Sequence, residues 1–322
     1  MNLHLRIVFF AIVVASSTGT SFAAEPAEKV TGKTVRLMTI GNSFSQNATT
    51  YLDDLAASDG NTLVLKTANV GGSSMQLHWE KAQLHEKDPQ SKSGLYSSGR
   101  GLKEILADGP HDFVTIQMAS IKSHDLANYR PYAAQLQQYV KQHAPEAELI
   151  VHETWAYRVD DPRFGPFDPK KGEPKQGEPK TEREMYEMLA QAYRTIAAEL
   201  KVRLIPVGDA FIVADEDEKW GYRVDKKFDR SRNQPPKVPD QTHSLHVGFR
   251  WKPSVKGGYY LSMDGHHANT SGCYLAACVW YEILFDTTCV GNEFVASGID
   301  SEYARFLQET AHAAVVKERA RK

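Results

Sequence analysis

The sequence predicts an α/β fold built around a mainly parallel sheet, and three observations carry that reading. Short apolar runs alternate with longer helix-like stretches along most of the chain, the signature of βαβ units. The first run breaks at a glycine directly into Gly41-Asn42-Ser43-Phe44-Ser45, as a buried strand does when it turns at the carboxyl edge of a sheet. The 322 residues, 41% of them hydrophobic, can bury one substantial core and do not demand a second.

In chain order, Val35 to Ile40 reads as the first strand, followed by a helix over Thr49 to Ala57 and a second strand over Thr62 to Ala68. Phe113 to Gln117 supplies the third strand, Tyr132 to His143 a helix and Leu149 to Glu153 the fourth strand. Glu182 to Leu200 is the longest helical stretch, and Val202 to Val207 closes the set of strands. Thr181-Glu182-Arg183-Glu184 has the form of a capping box, with Thr181 bonding a free amide and Glu184 returning a bond.

Two insertions interrupt the alternation, near 158–180 and 215–257. The first is rich in Pro, Gly and charge through Lys170 to Pro179 and reads as a mobile surface loop. The second carries Trp220, Tyr222, Phe249 and Trp251, enough aromatic mass to fold over a ligand. Both leave from the active-site side of such a sheet, so a partial lid or wall is expected there.

A net charge of -2 with mixed signs leaves no basic stripe, which argues against a nucleic-acid partner. Arg6, the apolar run Ile7 to Ala15 and the small residues around Ser21-Phe22-Ala23 have the layout of a signal peptide. Residues 1–23 are therefore expected to be removed on export to the periplasm or beyond, leaving a single domain over 24–322. The run is too short to span a bilayer comfortably, so no stable membrane anchor is expected. Of the three cysteines, Cys273 and Cys278 fall on different sides of one helix, so any disulfide would have to include Cys289. Cys278, among Ala276, Ala277, Val279 and Trp280, reads as a buried apolar residue.

Ser43 gains meaning from a second block, Asp264-Gly265-His266-His267, which places an acid and a base three positions apart. With Gly41-Asn42-Ser43 after the first strand and Asp264-x-x-His267 near the other end, the chain resembles the SGNH (GDSL-like) hydrolase superfamily. The resemblance implies a doubly wound, flavodoxin-like three-layer α/β/α fold, with a five-stranded sheet of order 2-1-3-4-5. It also implies Ser43 as nucleophile, Asp264 as orienting carboxylate and His267 as base, with no cofactor. His266 falls outside the family spacing. For the oxyanion hole it implies the Ser43 amide, a glycine of Val70-Gly71-Gly72-Ser73-Ser74, of which Gly72 is preferred, and a side-chain amide after the third strand. Glutamine, Gln117, stands where the family has asparagine; it offers the same donor on a longer stem.

Trp155 and Tyr157, after the fourth strand, are expected to reach the crevice and pack against a substrate ring. Asp240, His243 and His246 have a metal-like spacing, but the segment reads as loop without a further ligand, and no metal is expected there. The reading that results is an exported serine esterase of small acyl esters, with O-acetyl groups on carbohydrates as the favoured substrate. The alternative is a catalytically silent glycan-binding module on the same fold.

Overall fold

Why Ser43 lies beside residues far from it in sequence follows from the strand order of the computed structural model, which describes residues 32–164, 177–229 and 232–321. Strands β1 (Thr34–Gly41), β2 (Thr62–Asn69), β3 (Phe113–Ile116), β4 (Glu148–Glu153) and β5 (Arg203–Pro206) form one parallel sheet in the order β2-β1-β3-β4-β5. The chain leaves β1 for one neighbour and returns on its other side as β3. The carboxyl ends of β1 and β3 therefore bound the crevice where the connections diverge. β1 has seven of eight residues shielded from solvent, as a strand covered by helices on both faces must.

One helical layer contains α1 (Ser43–Thr49), α2 (Leu52–Ser58), α7 (Val207–Glu216), α8 (Thr270–Phe285) and α9 (Ser301–Arg319), with α8 packed against the other four. The other contains α3 (Met75–Lys87), α4 (Leu102–Ala107), α5 (Tyr132–His143) and α6 (Glu182–Leu200), with α5 in contact with α3, α4 and α6. α8 is buried from Gly272 to Phe285, which explains why that stretch is apolar on every side rather than on one stripe. Cys278 sits within it, and Cys273, Cys278 and Cys289 are all buried free thiols.

The capping box differs in one detail from its sequence form. Thr181 Oγ1 accepts from the Glu184 N–H at 3.1 Å, but the Glu184 carboxylate reaches back to the N–H of Lys180 rather than that of Thr181. The cap residue is already extended, and the free amide one position earlier is the one turned toward the carboxylate.

A separate antiparallel ribbon, β6 (His246–Pro253) with β7 (Tyr259–Ala268), stands outside the main sheet. The second insertion thus ends in a strand that pairs with the Asp264-His267 segment. Its aromatic side chains do not arch over Ser43. Trp220 stacks on Tyr303 and Phe306 of α9, Tyr222 and Phe249 lie over the Arg158 guanidinium, and the Trp251 indole donates to the Lys237 carbonyl. Within its described residues the second insertion thus braces α9, Arg158 and Lys237.

Gly32–Lys322 forms one compact unit. The expected signal segment and most of the Pro-rich insertion, 165–176, lie outside the described residues. Among the described residues no helix is long and apolar enough to cross a membrane.

Candidate active site

Asn42 is the pivot of the first site loop. It adopts an extended conformation as the N-cap of α1, and its Oδ1 accepts from the Phe44 N–H at 2.9 Å. Ser43 is therefore the first residue of a helix, with its amide among those that have no acceptor within the helix. The Asn42 Nδ2 donates to the Ser73 carbonyl at 2.9 Å, and the Val70 N–H donates to the Gly41 carbonyl. These bonds fasten the Val70–Ser73 turn beside Ser43. Gly72 occupies a left-handed conformation in that turn, with φ +67°, which glycine adopts without steric cost.

Asp264 and His267 converge because β7 is irregular. Asp264 pairs with Gly248 and Ala268 with His246, so three residues of β7 stand against one of β6. In a regular strand, positions three apart face opposite sides; the bulge brings these two to the same side. The His267 N–H donates to Asp264 Oδ1 at 3.2 Å, and His267 Nδ1 lies 3.1 Å from both carboxylate oxygens. His267 Nε2 lies 2.9 Å from Ser43 Oγ. Partial burial works against the Asp264 carboxylate, but the His267 ring and backbone N–H and the two neighbouring imidazoles hold it well below the usual range. Arg250 adds a guanidinium 3.4 Å from Oδ2.

His266 turns toward the same carboxylate, with Nδ1 3.3 Å from Asp264 Oδ1, and its ring centroid lies 4.2 Å from that of His267. Burial holds its imidazole below the ordinary histidine range, against the pull of Asp264. Only His267 reaches Ser43.

Gln117 corrects an expectation. It is buried, and its Nε2 donates to Asn42 Oδ1 at 2.7 Å and to the Met118 carbonyl at 3.3 Å. Its Oε1 accepts from Ser45 Oγ at 2.5 Å and lies 3.2 Å from His152 Nδ1. Both amide hydrogens are already engaged, so the longer stem serves to hold Asn42 and not to present a donor to an oxyanion. Its role is to position the Ser43 loop.

Trp155 and Tyr157 are likewise not open platforms. Trp155 is fully buried, stacked between Phe44 and Phe211 at centroid distances of 4.4 and 4.6 Å, and its indole N–H donates to the His266 carbonyl at 2.9 Å. Tyr157 is buried, its hydroxyl 3.0 Å from Ser120 Oγ and its ring flanked by Arg163 and His266. Both lie in the segment after β4 and pack against β7, Trp155 through the His266 carbonyl and Tyr157 through the His266 ring.

Several positioning residues carry no motif in the sequence. The Arg158 N–H donates to the Gly265 carbonyl at 2.8 Å, and its buried guanidinium bonds Asp160, Gln241 and Ser244. His246 Nε2 lies 3.1 Å from the Ala156 carbonyl. Residues 155–158 thus grip both strands of the ribbon. On the other side of Ser43, buried His78 lies 3.1 Å from the Gly41 carbonyl, 2.8 Å from Ser73 Oγ and 2.8 Å from the Tyr96 hydroxyl. Burial lowers the His78 pKa to about 4. Asp240, His243 and His246 do not converge: Asp240 bonds Thr242, His243 packs on Trp220 and Tyr303, and His246 is buried under residue 156.

Comparison with other proteins agrees with the architecture. The sequence model of a family described as a domain of unknown function (DUF4886) matches residues 36–171, a span that includes Ser43, Gly72 and Gln117 and ends before Asp264. No curated relative matches the chain. A crystal structure of a DUF4886 family protein from Bacteroides uniformis is similar at 23% identity and a TM-score of 0.64, over 88% of this chain and 95% of that one. A Parabacteroides merdae protein described as a candidate GDSL-like lipase is similar at 12% identity and a TM-score of 0.42, over 78% and 95% of the two chains. The periplasmic domain of a lipopolysaccharide acetyltransferase from Salmonella ser. Paratyphi A gives 10% identity and a TM-score of 0.42, over 80% and 83%. At 23% identity the likeness to the DUF4886 family structure is one of fold.

Proposed function

We propose that the protein is a serine hydrolase of small carboxylic esters, acting through an acyl-enzyme on Ser43. The observation that carries this reading is the continuous chain from the Asp264 carboxylate through His267 Nδ1 and Nε2 to Ser43 Oγ, each step 2.9 to 3.1 Å. Asp264 holds the ring proton on Nδ1, which leaves the Nε2 lone pair facing the serine hydroxyl. As Ser43 Oγ attacks the ester carbonyl, His267 takes its proton and later returns it to the leaving alcohol. Water then repeats the sequence in reverse on the acyl-enzyme.

The oxyanion is received by backbone amides, Ser43 at the first turn of α1 and Gly72 in the adjacent turn, since Gln117 has no hydrogen to offer. Each such donor contributes on the order of 3 kcal/mol to the transition state. The O-acetylated carbohydrate expected from the sequence rested partly on Trp155 and Tyr157 as crevice aromatics. With both buried, we take small acyl esters as the substrate class. The N-terminal segment supports action outside the cytoplasm.

The test is hydrolysis of p-nitrophenyl acetate by the chain beside Ser43→Ala, His267→Ala and His266→Ala, each checked for folding. Ser43→Ala and His267→Ala are expected to lose about 10³-fold or more in kcat, while His266→Ala stays within a few-fold of the parent. A Ser43→Ala protein as fast as the parent overturns the reading. Labelling of Ser43 by a fluorophosphonate separates an activated serine from a binding module with a narrow pocket.

A further inference from the structure

The hydrolytic chain uses one imidazole, yet two face the Asp264 carboxylate. From this doubling we infer that Asp264, His266 and His267 form a divalent-cation site suited to zinc, and that an ion bound there arrests the enzyme. Asp264 Oδ1 lies 3.3 Å from His266 Nδ1 and 3.1 Å from His267 Nδ1. A tetrahedral zinc with ligands at about 2.0 to 2.1 Å has edges of roughly 3.3 to 3.4 Å between neighbouring donor atoms. One donor atom from each of the three side chains falls within 4.8 Å of the others, and the third edge, between the two imidazoles, closes when the rings turn toward a shared ion.

The donors match zinc in kind as well as spacing: two imidazole nitrogens and one carboxylate oxygen, a set that zinc completes with a water as the fourth ligand. Both histidines are about one third exposed, which gives an ion access from solvent. Arg250 lies 3.4 Å from the other carboxylate oxygen, Oδ2, while Oδ1, which also accepts the His267 backbone N–H at 3.2 Å, is the oxygen that faces both imidazoles. The guanidinium weakens the site relative to a structural zinc centre, in keeping with a reversible ion.

Occupancy and catalysis exclude each other at a single atom. On the hydrolase reading the ring proton of His267 is held on Nδ1 by Asp264, and the Nε2 lone pair faces Ser43 Oγ, 2.9 Å away. Coordination through Nδ1 requires the lone pair there, so the same proton moves to Nε2. No proton is lost, but Nε2 now donates to Ser43 Oγ and cannot accept its proton. His266 takes no part in the hydrolytic chain; in this scheme it supplies the third protein ligand. The inhibition rests on the hydrolase reading, whereas the binding does not.

The experiment titrates chelator-stripped full-length protein with zinc against a chromogenic chelator, and measures p-nitrophenyl acetate hydrolysis in the same series. One zinc per chain is expected, with the rate falling at the same midpoint and restored by EDTA. His266→Gln is expected to bind zinc about tenfold or more weaker while its zinc-free rate stays within a few-fold of the parent. His266→Ala provides a second variant at this partly exposed position. A parent that takes up no stoichiometric zinc, or His266 variants that bind it as tightly, overturn the site. A protein that binds zinc through His266 but hydrolyses no ester keeps the site and defeats the hydrolase reading; one that hydrolyses esters and ignores zinc does the opposite.

Discussion

Gln117 Nε2 donates to Asn42 Oδ1 at 2.7 Å, and the same oxygen accepts from the Phe44 N–H that begins α1. The glutamine thereby fixes the cap that sets the direction of Ser43. Gln117→Ala strands Asn42, Ser45 and His152 in a buried place, and a loss of about 2 to 3 kcal/mol is expected from these unmade bonds. Ester kcat should fall about 10-fold to 100-fold at the same time. Denaturant unfolding beside steady-state kinetics checks this. Intact stability with a 10²-fold to 10³-fold loss of kcat would instead mark Gln117 as an oxyanion donor.

Gly265 is the tightest point of the β7 bulge: a Cβ there would sit 2.4 Å from Asp161 Oδ2 and 3.0 Å from Met263 Cε. Gly265→Ala must displace Asp161, whose Cβ also lies 3.0 Å from the new methyl and whose N–H bonds the Arg158 carbonyl, so the clash bears on the grip that Arg158 has on the Gly265 carbonyl. The expected outcome is a destabilisation of about 1 to 3 kcal/mol and a fall in kcat larger than any rise in KM. Equal kcat in a folded variant would show that the bulge does not set the alignment.

Trp155 acts by packing and by its bond to the His266 carbonyl. Trp155→Phe removes that donor and is expected to lower stability by about 1 to 2 kcal/mol with KM for small esters unchanged. Trp155→Ala opens a cavity between Phe44 and Phe211, for about 3 to 5 kcal/mol. A raised KM in Trp155→Phe without loss of stability would restore it as a substrate platform.

His78 makes stability depend on pH. Its native pKa of about 4 lies below the ordinary histidine value of 6.5, so between these values the unfolded chain binds the extra proton. The contribution is present above pH 6.5 and is lost as pH falls toward 4, on the order of 3 kcal/mol in all. Buried His152 and His246, each lowered to about 3, act in the same sense, while Glu182, raised to about 7 by burial, acts in the opposite one. Comparing the parent with His78→Gln at pH 7 and pH 4 isolates the term: the stability gap between them should narrow by that amount. A gap independent of pH would mean that His78 takes up its proton alike in the native and unfolded chains.

The strands and the long helices are legible in the sequence because each is a local pattern. Tyr132 to His143 and Glu182 to Leu200 have the same bounds in the structure. Ser43, Asp264 and His267 are legible as two short blocks. What a local pattern does not contain is the irregular pairing of β7 with β6, since a bulge depends on what the partner strand does. The same holds for the grip of residues 155–158 on Gly265 and His266, bonds that join segments more than a hundred residues apart. The aromatic residues mislead for a related reason. Trp155 after a strand end suits a crevice or a core equally, and only the position of β7 decides it.

His267 follows Ser43 by 224 residues. At synthesis rates of about 5 to 20 residues per second, roughly 11 to 45 seconds separate their appearance on the ribosome. Throughout that interval the nascent chain carries a serine hydroxyl with no partner to take its proton. On the proposed reading, reactivity begins only when the late ribbon docks against the early loop, so a prematurely terminated chain carries the DUF4886-matched segment without the base that would activate Ser43.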